Sequence, residues 1–306
     1  MSLRARIAAA ALLSLLTANA VQAGVSARAA VFDSIYSVDL ATHKAVRLGE
    51  TGSFGNQFIA IEGMAYAPDG TLYGISDNLK SLVRINPTTG AATMVGGLGL
   101  SGTGQFNNLD PGFAITADGR MWLSSALVGK FWQINPSTGA ATLVGTLNGK
   151  ISGLAARGND LFGAGSQGDE GLYRIDTASG ATQLIARFNA TIPYAASISI
   201  AFDEDKKLWA AINYIPTQHD SDPIPTWSDL AQVDADSGAI QLLGTVTGPN
   251  ELRRTIIGGL AIIPPVAPPP TGGQTSAEIP ALSMWFQTLL ASLLAGLAYR
   301  GCRRPA

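Results

Sequence analysis

The chain has 306 residues, enough for one large domain or two ordinary ones, with 46% hydrophobic and only 14% charged side chains and 35 glycines; that balance favours many short strands joined by turns. A formal net charge of −2 supplies no basic face to neutralise phosphates, which excludes nucleic acid as the expected partner. The single cysteine, Cys302, stands close to the C-terminus, so no intramolecular disulfide forms and the fold rests on its core.

The chain opens with Arg4 and Arg6, continues with an apolar run from Ile7 to Leu16, and places Val21 and Ala23 at the −3 and −1 positions before Gly24. A basic start, a short apolar segment and a small-residue exit predict a secretory signal peptide over residues 1–23, with the mature protein beginning at Gly24. Cleavage after Ala20 is the minor alternative. A first core helix or an uncleaved anchor is the plainer reading, but the apolar run is short for a bilayer.

Residues 24–264 carry an internal repeat. Its clearest copies are Leu82-Val83-Arg84-Ile85-Asn86-Pro87-Thr88-Thr89-Gly90 and Phe131-Trp132-Gln133-Ile134-Asn135-Pro136-Ser137-Thr138-Gly139, with weaker ones from Ile35, Leu172 and Leu230. In each, an alternating run reaches an Asn or Asp (Asp39, Asn86, Asn135, Asp176, Asp234) and then a glycine (Gly90, Gly139, Gly180, Gly238), which predicts a strand, a side-chain-bonded turn and a second strand. The first copy has His43 where the others have glycine. A small, large apolar, small triplet precedes each hairpin: Gly63-Met64-Ala65, Gly112-Phe113-Ala114, Gly153-Leu154-Ala155, Ser199-Ile200-Ala201 and Gly259-Leu260-Ala261. Such triplets suit an inner strand crowded near an axis. Four strands per unit, recurring about every 40 to 60 residues, predict an all-β propeller. The chain begins with the later strands of a unit, around Val31 to Gly49, and ends with a lone inner strand, Ile256 to Ile263. Joining them gives a five-bladed β-propeller; a six-bladed ring with one degenerate unit is the alternative, and an open β-solenoid fits the irregular spacing less well.

In a four-stranded blade the first and third connections lie on one face, and here these are the short repeated turns. The opposite face receives the variable loops Glu50 to Ile61, Gly96 to Asp110, Asn189 to Ala195, Tyr214 to Asp229 and Pro249 to Arg254, where a binding site is expected. Phe54, Asn56 and Gln57, and Gln105, Phe106, Asn107 and Asn108, place amides beside an aromatic ring. That chemistry suits a sugar of a surface polysaccharide, against the plainer reading of amides capping their own loops. Glu62 and Asp110 reach the mouth of the axis as a pair of carboxylates able to share an ion, calcium being the alternative cofactor. The run Gln218-His219-Asp220-Ser221-Asp222 offers divalent-ion ligands, although it also reads as a solvated loop tip. With two histidines in the chain, no nucleophile triad and no phosphate loop, the expectation is a non-catalytic propeller without a cofactor. The rival is a calcium-dependent hydrolase or lactonase centred on Glu62, Asp110 and Asn213.

After Pro264 a proline-rich and then glycine-rich linker spans 265–278. From Ile279 to Tyr299 no residue is charged, and Arg300, Arg303 and Arg304 follow; this predicts a membrane-crossing helix with its C-terminus in the cytoplasm and the body outside. Ile279-Pro280-Ala281-Leu282-Ser283-Met284-Trp285, the helix and the arginine cluster resemble the IPTL-type C-terminal sorting tail of Gram-negative bacteria, over residues 279–306. Ala281 stands where that tail usually has Thr, and Met284 where Glu is common. The resemblance implies recognition by an exosortase-type membrane transpeptidase that removes the helix. The expectation is therefore an exported binding or structural propeller, anchored in the inner membrane facing the periplasm or sorted to the cell surface after processing; a permanent anchor is the plainer reading.

Overall fold

The structure, a computed structural model, describes residues 25–188, 192, 194–214, 228–248 and 256–262. The signal peptide and the start at Gly24, the linker 265–278, the sorting tail 279–306 and the 218–222 run lie outside the described residues.

The described residues form five four-stranded antiparallel sheets, and the strand order runs outward from the axis in each. Blade 1 consists of β22 (Gly259–Ile262), β1 (Ser26–Val31), β2 (Ser34–Asp39) and β3 (Lys44–Glu50). A two-residue pair, β4 (Ser53–Phe54) and β5 (Gln57–Phe58), stands in the loop before blade 2. Blade 2 is β6 (Ile61–Tyr66), β7 (Leu72–Ser76), β8 (Ser81–Ile85) and β9 (Ala92–Gly97), and blade 3 is β10 (Pro111–Ile115), β11 (Met121–Ser125), β12 (Lys130–Ile134) and β13 (Ala141–Thr146). Blade 4 is β14 (Ile151–Arg157), β15 (Asp160–Gly165), β16 (Gly171–Ile175) and β17 (Thr182–Arg187). Blade 5 is β18 (Ser197–Phe202), β19 (Leu208–Asn213), β20 (Ser228–Val233) and β21 (Ile240–Thr245).

Period-two alternation explains why the sheets ring an axis. Neighbouring residues of one strand face opposite sides, so Leu161 packs toward blade 3 while Phe162 packs toward blade 5. The buried apolar residues accordingly divide into five clusters, one between each pair of adjacent blades, and the fifth joins Trp209, Ala211 and Leu230 of blade 5 to Ala29, Tyr36 and Val38 of blade 1. Five clusters closing on themselves leave no place for the alternative sixth blade. The ring is closed by β22 pairing antiparallel with β1, from Ala27 opposite Ile262 to Ala30 opposite Gly259. The N-terminal share of blade 1 thus begins at Ser26, ahead of the Val31 expected from sequence, and supplies three strands.

The crowded inner triplets have the expected cause. A Cβ on Gly63 would meet Cβ of Phe113 at 2.8 Å, and one on Gly112 would meet the Gly153 backbone at 2.9 Å, so inner strands of adjacent blades touch through backbone. On the turn face, Oδ1 of Asn86 accepts from the N–H groups of Thr88 and Thr89 at 2.9 and 3.1 Å, and Asn135 repeats this with Ser137 and Thr138 at 2.9 and 3.2 Å. Gly90, Gly139, Gly180 and Gly238 take the left-handed conformation that closes each turn, and His43 adopts it too, at φ 58°; the first copy is a full repeat despite its residue.

Candidate functional site

The face opposite these turns carries a cluster of ionisable side chains contributed by blades 2 and 3. Glu62 is the second residue of β6, Asp77 follows β7, Lys80 precedes β8 and Asp110 immediately precedes β10. The short loop from Asp77 to Lys80 is held by Asn78, whose Oδ1 accepts from Ser76 Oγ at 2.8 Å and Ala60 N at 3.1 Å, while its Nδ2 donates to Phe58 O at 2.8 Å. That pinning turns Asp77 and Lys80 inward, where both are buried. Lys80 Nζ contacts Asp77 Oδ1 at 2.9 Å and also donates to the Asp77 carbonyl. The Leu109 N–H donates to the same carboxylate at 3.1 and 3.2 Å, which draws the blade 2 to blade 3 loop down onto it. Gln167, from the loop between β15 and β16, crosses the mouth to donate from Nε2 to Asp110 Oδ2 at 2.9 Å and to Ala196 O at 3.2 Å.

Three acids therefore share one ammonium, and the consequence falls on the two that lack it. Burial, then the negative charges of Asp77 and Asp110, push the Glu62 carboxyl up to about 8, against a smaller opposing pull from Lys80. Glu62 also shares a hydrogen bond with Asp77. Asp110 rises to about 7 through burial and then through Asp77, held down in part by the bond from Gln167. Glu62 and Asp110 are half-buried as residues, and Glu62 lines the cleft described next. Among the described residues no three His, Cys, Asp or Glu side chains gather as a metal-ligating group; the cation within the acid cluster is Lys80.

Beside the cluster, between blades 1 and 2, opens a cleft of about 670 Å³. Val31, Phe32, Tyr36, Ile61 and Ile256 give it apolar walls, and Asp33, Ser34, Arg47 and Glu62 supply its polar positions. Glu62 belongs both to this cleft and to the axial channel, where the free space shrinks to about 10 Å³ between Gly63, Ser152, Ser199 and Gly258. Such a volume holds a water at most, so the axis is narrow at this level. Phe32 is 58% exposed and packs on Phe58 with ring centroids 4.8 Å apart. The backbone around the mouth is unusual: Phe32, Lys80, Asp110 and Gln167 have φ of 56°, 48°, 50° and 54°. Side chains in the left-handed region persist only where surrounding contacts hold them, and such positions concentrate at functional sites.

The residues expected from sequence fall into different places. Glu62 and Asp110 come together at the mouth, within electrostatic reach of each other. Asn213 is buried in a structural network: Nδ2 donates to Ser197 Oγ and Ile257 O, both at 2.9 Å, and Oδ1 accepts from Ile257 N at 3.1 Å and from Ser228 Oγ. It ties blade 5 to the segment entering β22. Phe54 and Gln57 lie on the exposed β4–β5 pair with Asn56 in its turn, and Phe106 is exposed at the tip of the loop before β10. Asn107 accepts from Gly102 N at 2.7 Å through Oδ1 and so caps its own loop, while Gln105 and Asn108 are exposed. Asp77, Lys80, Gln167, Phe32, Asp33 and Arg47 were not expected. One sequence signal bears on them: Lys80 stands where the corresponding loop of blade 3 has Gly129, itself at φ 68°.

Fold and site together define a five-bladed β-propeller with an acid-lined mouth and a lateral cleft beside it. Neither family models nor curated proteins give a match to the sequence. By shape the chain is similar to one in the crystal structure of a nidogen/laminin complex, at 12% identity and a TM-score of 0.50, over 78% of this chain and 98% of that one. It is also similar to a protein of unknown function from Bacteroides caccae, at 11% identity and TM-score 0.46 over 78% and 99% of the two chains. A third likeness is to virginiamycin B lyase from Staphylococcus aureus, at 14% identity and TM-score 0.41 over 70% and 78%. At these identities the likeness is one of fold.

Proposed function

We propose that this chain is an exported, non-catalytic binding propeller that takes a surface polymer on its loop face, in and around the cleft between blades 1 and 2. Export would follow from the signal peptide over 1–23. Retention at the inner membrane, or release to the surface by an exosortase-type transpeptidase, would follow from the tail at 279–306. The observation that carries the binding reading is the cleft itself: about 670 Å³ of mainly apolar hollow on a rigid ring, with an exposed Phe32 ring and a few polar groups at its edge. This is how small-ligand and sugar sites are built.

The test is retention of the purified protein on immobilised surface polysaccharide from the producing cells, with Phe32→Asn as the variant. Asn accepts the left-handed backbone at this position and removes the ring. Retention should be lost at an unchanged melting temperature; equal retention of the two proteins would refute the reading. A second reading, a propeller hydrolase or lactonase with calcium as its candidate cofactor, is favoured by one observation: Glu62 near 8 and Asp110 near 7 are poised for proton transfer at neutral pH. Turnover of ester or lactone substrates that Glu62→Gln abolishes would favour it over binding alone.

A further inference from the structure

The charge around the cleft is one-sided. Glu62 lines it, with Asp77 and Asp110 within electrostatic reach of that carboxyl, and Asp33 and Arg47 line it as well. Among the described residues, the two cations at the cleft already have carboxylate partners. Lys80 Nζ sits 2.9 Å from Asp77 Oδ1, and Arg47 Nη2 is 3.0 Å from Glu50 Oε1 and 3.1 Å from Ser34 Oγ. Among the described residues, four carboxyls at or beside the cleft, those of Asp33, Glu62, Asp77 and Asp110, stand against two cations, Lys80 and Arg47, and Glu62 gains its charge only as a cation arrives.

Apolar walls strengthen such an imbalance, because a low-dielectric surround screens charge poorly. An anion entering here would be repelled, and a neutral molecule would gain from apolar burial alone. A cation gains from both, and the exposed face of Phe32 adds the attraction of an aromatic ring for positive charge.

We propose that the cleft binds an organic cation: a protonated amine carried on a ring or apolar body, with the ammonium at Glu62 and the body against Phe32 and Ile256. The assignment rests on the binding reading above and names the ligand class of the same site. It has a proton consequence. Burial and the two neighbouring acids hold Glu62 protonated at neutral pH, up to about 8. An arriving ammonium stabilises the carboxylate, so the Glu62 O–H bond breaks and its proton passes to the buffer. Binding and proton release are then linked. The groups facing Glu62 are Asp77, Asp110 and Lys80, and Asp110, near 7, contributes a smaller share of the release.

The test uses the full chain with benzylamine and benzyl alcohol, a cation and a neutral molecule of nearly the same shape, in calorimetry at pH 7 in two buffers of different ionisation enthalpy. Benzylamine should bind at least tenfold more tightly than benzyl alcohol and release a large fraction of one proton. Its affinity should rise by nearly tenfold per pH unit from pH 6 to pH 8, as linkage to a released proton requires, and then level off. Glu62→Gln should remove the preference and most of the proton release and pH dependence together, the smaller share of Asp110 remaining, at an unchanged melting temperature at pH 5; the wild-type release needs no variant and stands as an independent readout. Equal affinity for the two probes, or benzylamine binding without proton release, overturns the cation assignment and leaves the cleft as a binding site. Polysaccharide retention without benzylamine binding has the same effect. Failure of polymer and both probes alike overturns this assignment and the binding reading together.

Discussion

Replacing Glu62 with Gln should make the protein less sensitive to pH and more stable in mild alkali. In the folded chain the Glu62 carboxyl titrates at about 8 rather than 4.5, because burial and then Asp77 and Asp110 oppose its charge. Between those two values the native state holds a proton that the unfolded chain has released. Stability is therefore full below the unfolded value and falls as pH rises through the folded one. At about 1.4 kcal/mol per pH unit, the interval from 4.5 to about 8 sets an upper bound near 5 kcal/mol. Glu62 is half-buried as a residue and lines an open cleft, so screening brings the expected loss to about 2–3 kcal/mol. Asp110, raised from 3.8 to about 7 by burial and then Asp77, acts with the same sign, and because Asp77 is common to both carboxyls the two shares are not additive. Gln keeps the shape and cannot ionise. Urea midpoints at pH 5, 7 and 9 measure the effect: wild type should lose the stated amount across the series, and Glu62→Gln should lose less, retaining the share of Asp110, and exceed wild type at pH 9. Parallel curves for the two proteins, or a wild type that gains stability with pH, would refute the electrostatic account of the mouth.

Asn213→Ala leaves Ile257 N and Ile257 O without their side-chain partner at the segment that closes the ring. It should cost about 3 kcal/mol, read as a lower urea midpoint with one cooperative transition retained; an unchanged midpoint would mean the closure does not depend on it. Gly145→Ala would drive a Cβ into the Ser179 carbonyl of the next blade and should destabilise by 2 kcal/mol or more, on the order of other overpacked sites, whereas Gly97→Ala, where the space is open, should sit within about 0.5 kcal/mol of wild type. At the other end of the chain, Pro280→Ala should block processing of the tail while membrane association persists; unchanged mass and release would favour a plain anchor.

The fold was legible because its signals are local and repeated. An Asn or Asp that bonds the N–H groups two and three residues ahead, followed by a residue in the left-handed region, forms a turn whatever lies around it, as Asn86 and Asn135 do. The inner triplets were legible for a packing reason, since backbone contact between blades admits only small side chains at Gly63, Gly112 and Gly153. Strand β1 was not. Ser26 to Val31 is short, Ala-rich and follows directly on the expected signal peptide, and its extended form comes from pairing with β2 on one side and β22 on the other, a partner more than two hundred residues away. His43 misled for a related reason. Its position is left-handed because the turn and the neighbouring blade require it, and a histidine tolerates that conformation at modest cost.

At the site the difference between legible and hidden residues is a difference between strand and loop. Glu62 was found because it occupies a fixed place in an inner strand, and Asp110 because it adjoins one. Asp77, Lys80 and Gln167 sit in loops, where direction is set by φ at individual residues and by distant bonds such as Leu109 N to Asp77 and Gln167 Nε2 to Asp110. On the turn face the repeat holds, and each residue is accounted for by the turn it makes. On the loop face the repeat breaks: blade 3 turns with Gly129, blade 2 with a buried Lys80, blade 4 with Gln167, and blade 1 with an exposed Phe32. Glycine makes such a turn with the least strain, so three blades accept a bulkier residue that structure alone does not call for. Those three residues border one place, the acid-lined mouth and the cleft beside it. Restoring glycine at all three, Phe32→Gly, Lys80→Gly and Gln167→Gly, separates the two causes: relief of strain would leave the backbone fold intact, while loss of the Lys80 charge would raise Glu62 further and loss of Phe32 would strip the cleft of its ring. A triple variant that folds but no longer retains the polymer would place the function of the propeller in the breaks of its own repeat, and one that retains it undiminished would move the search to another part of the loop face.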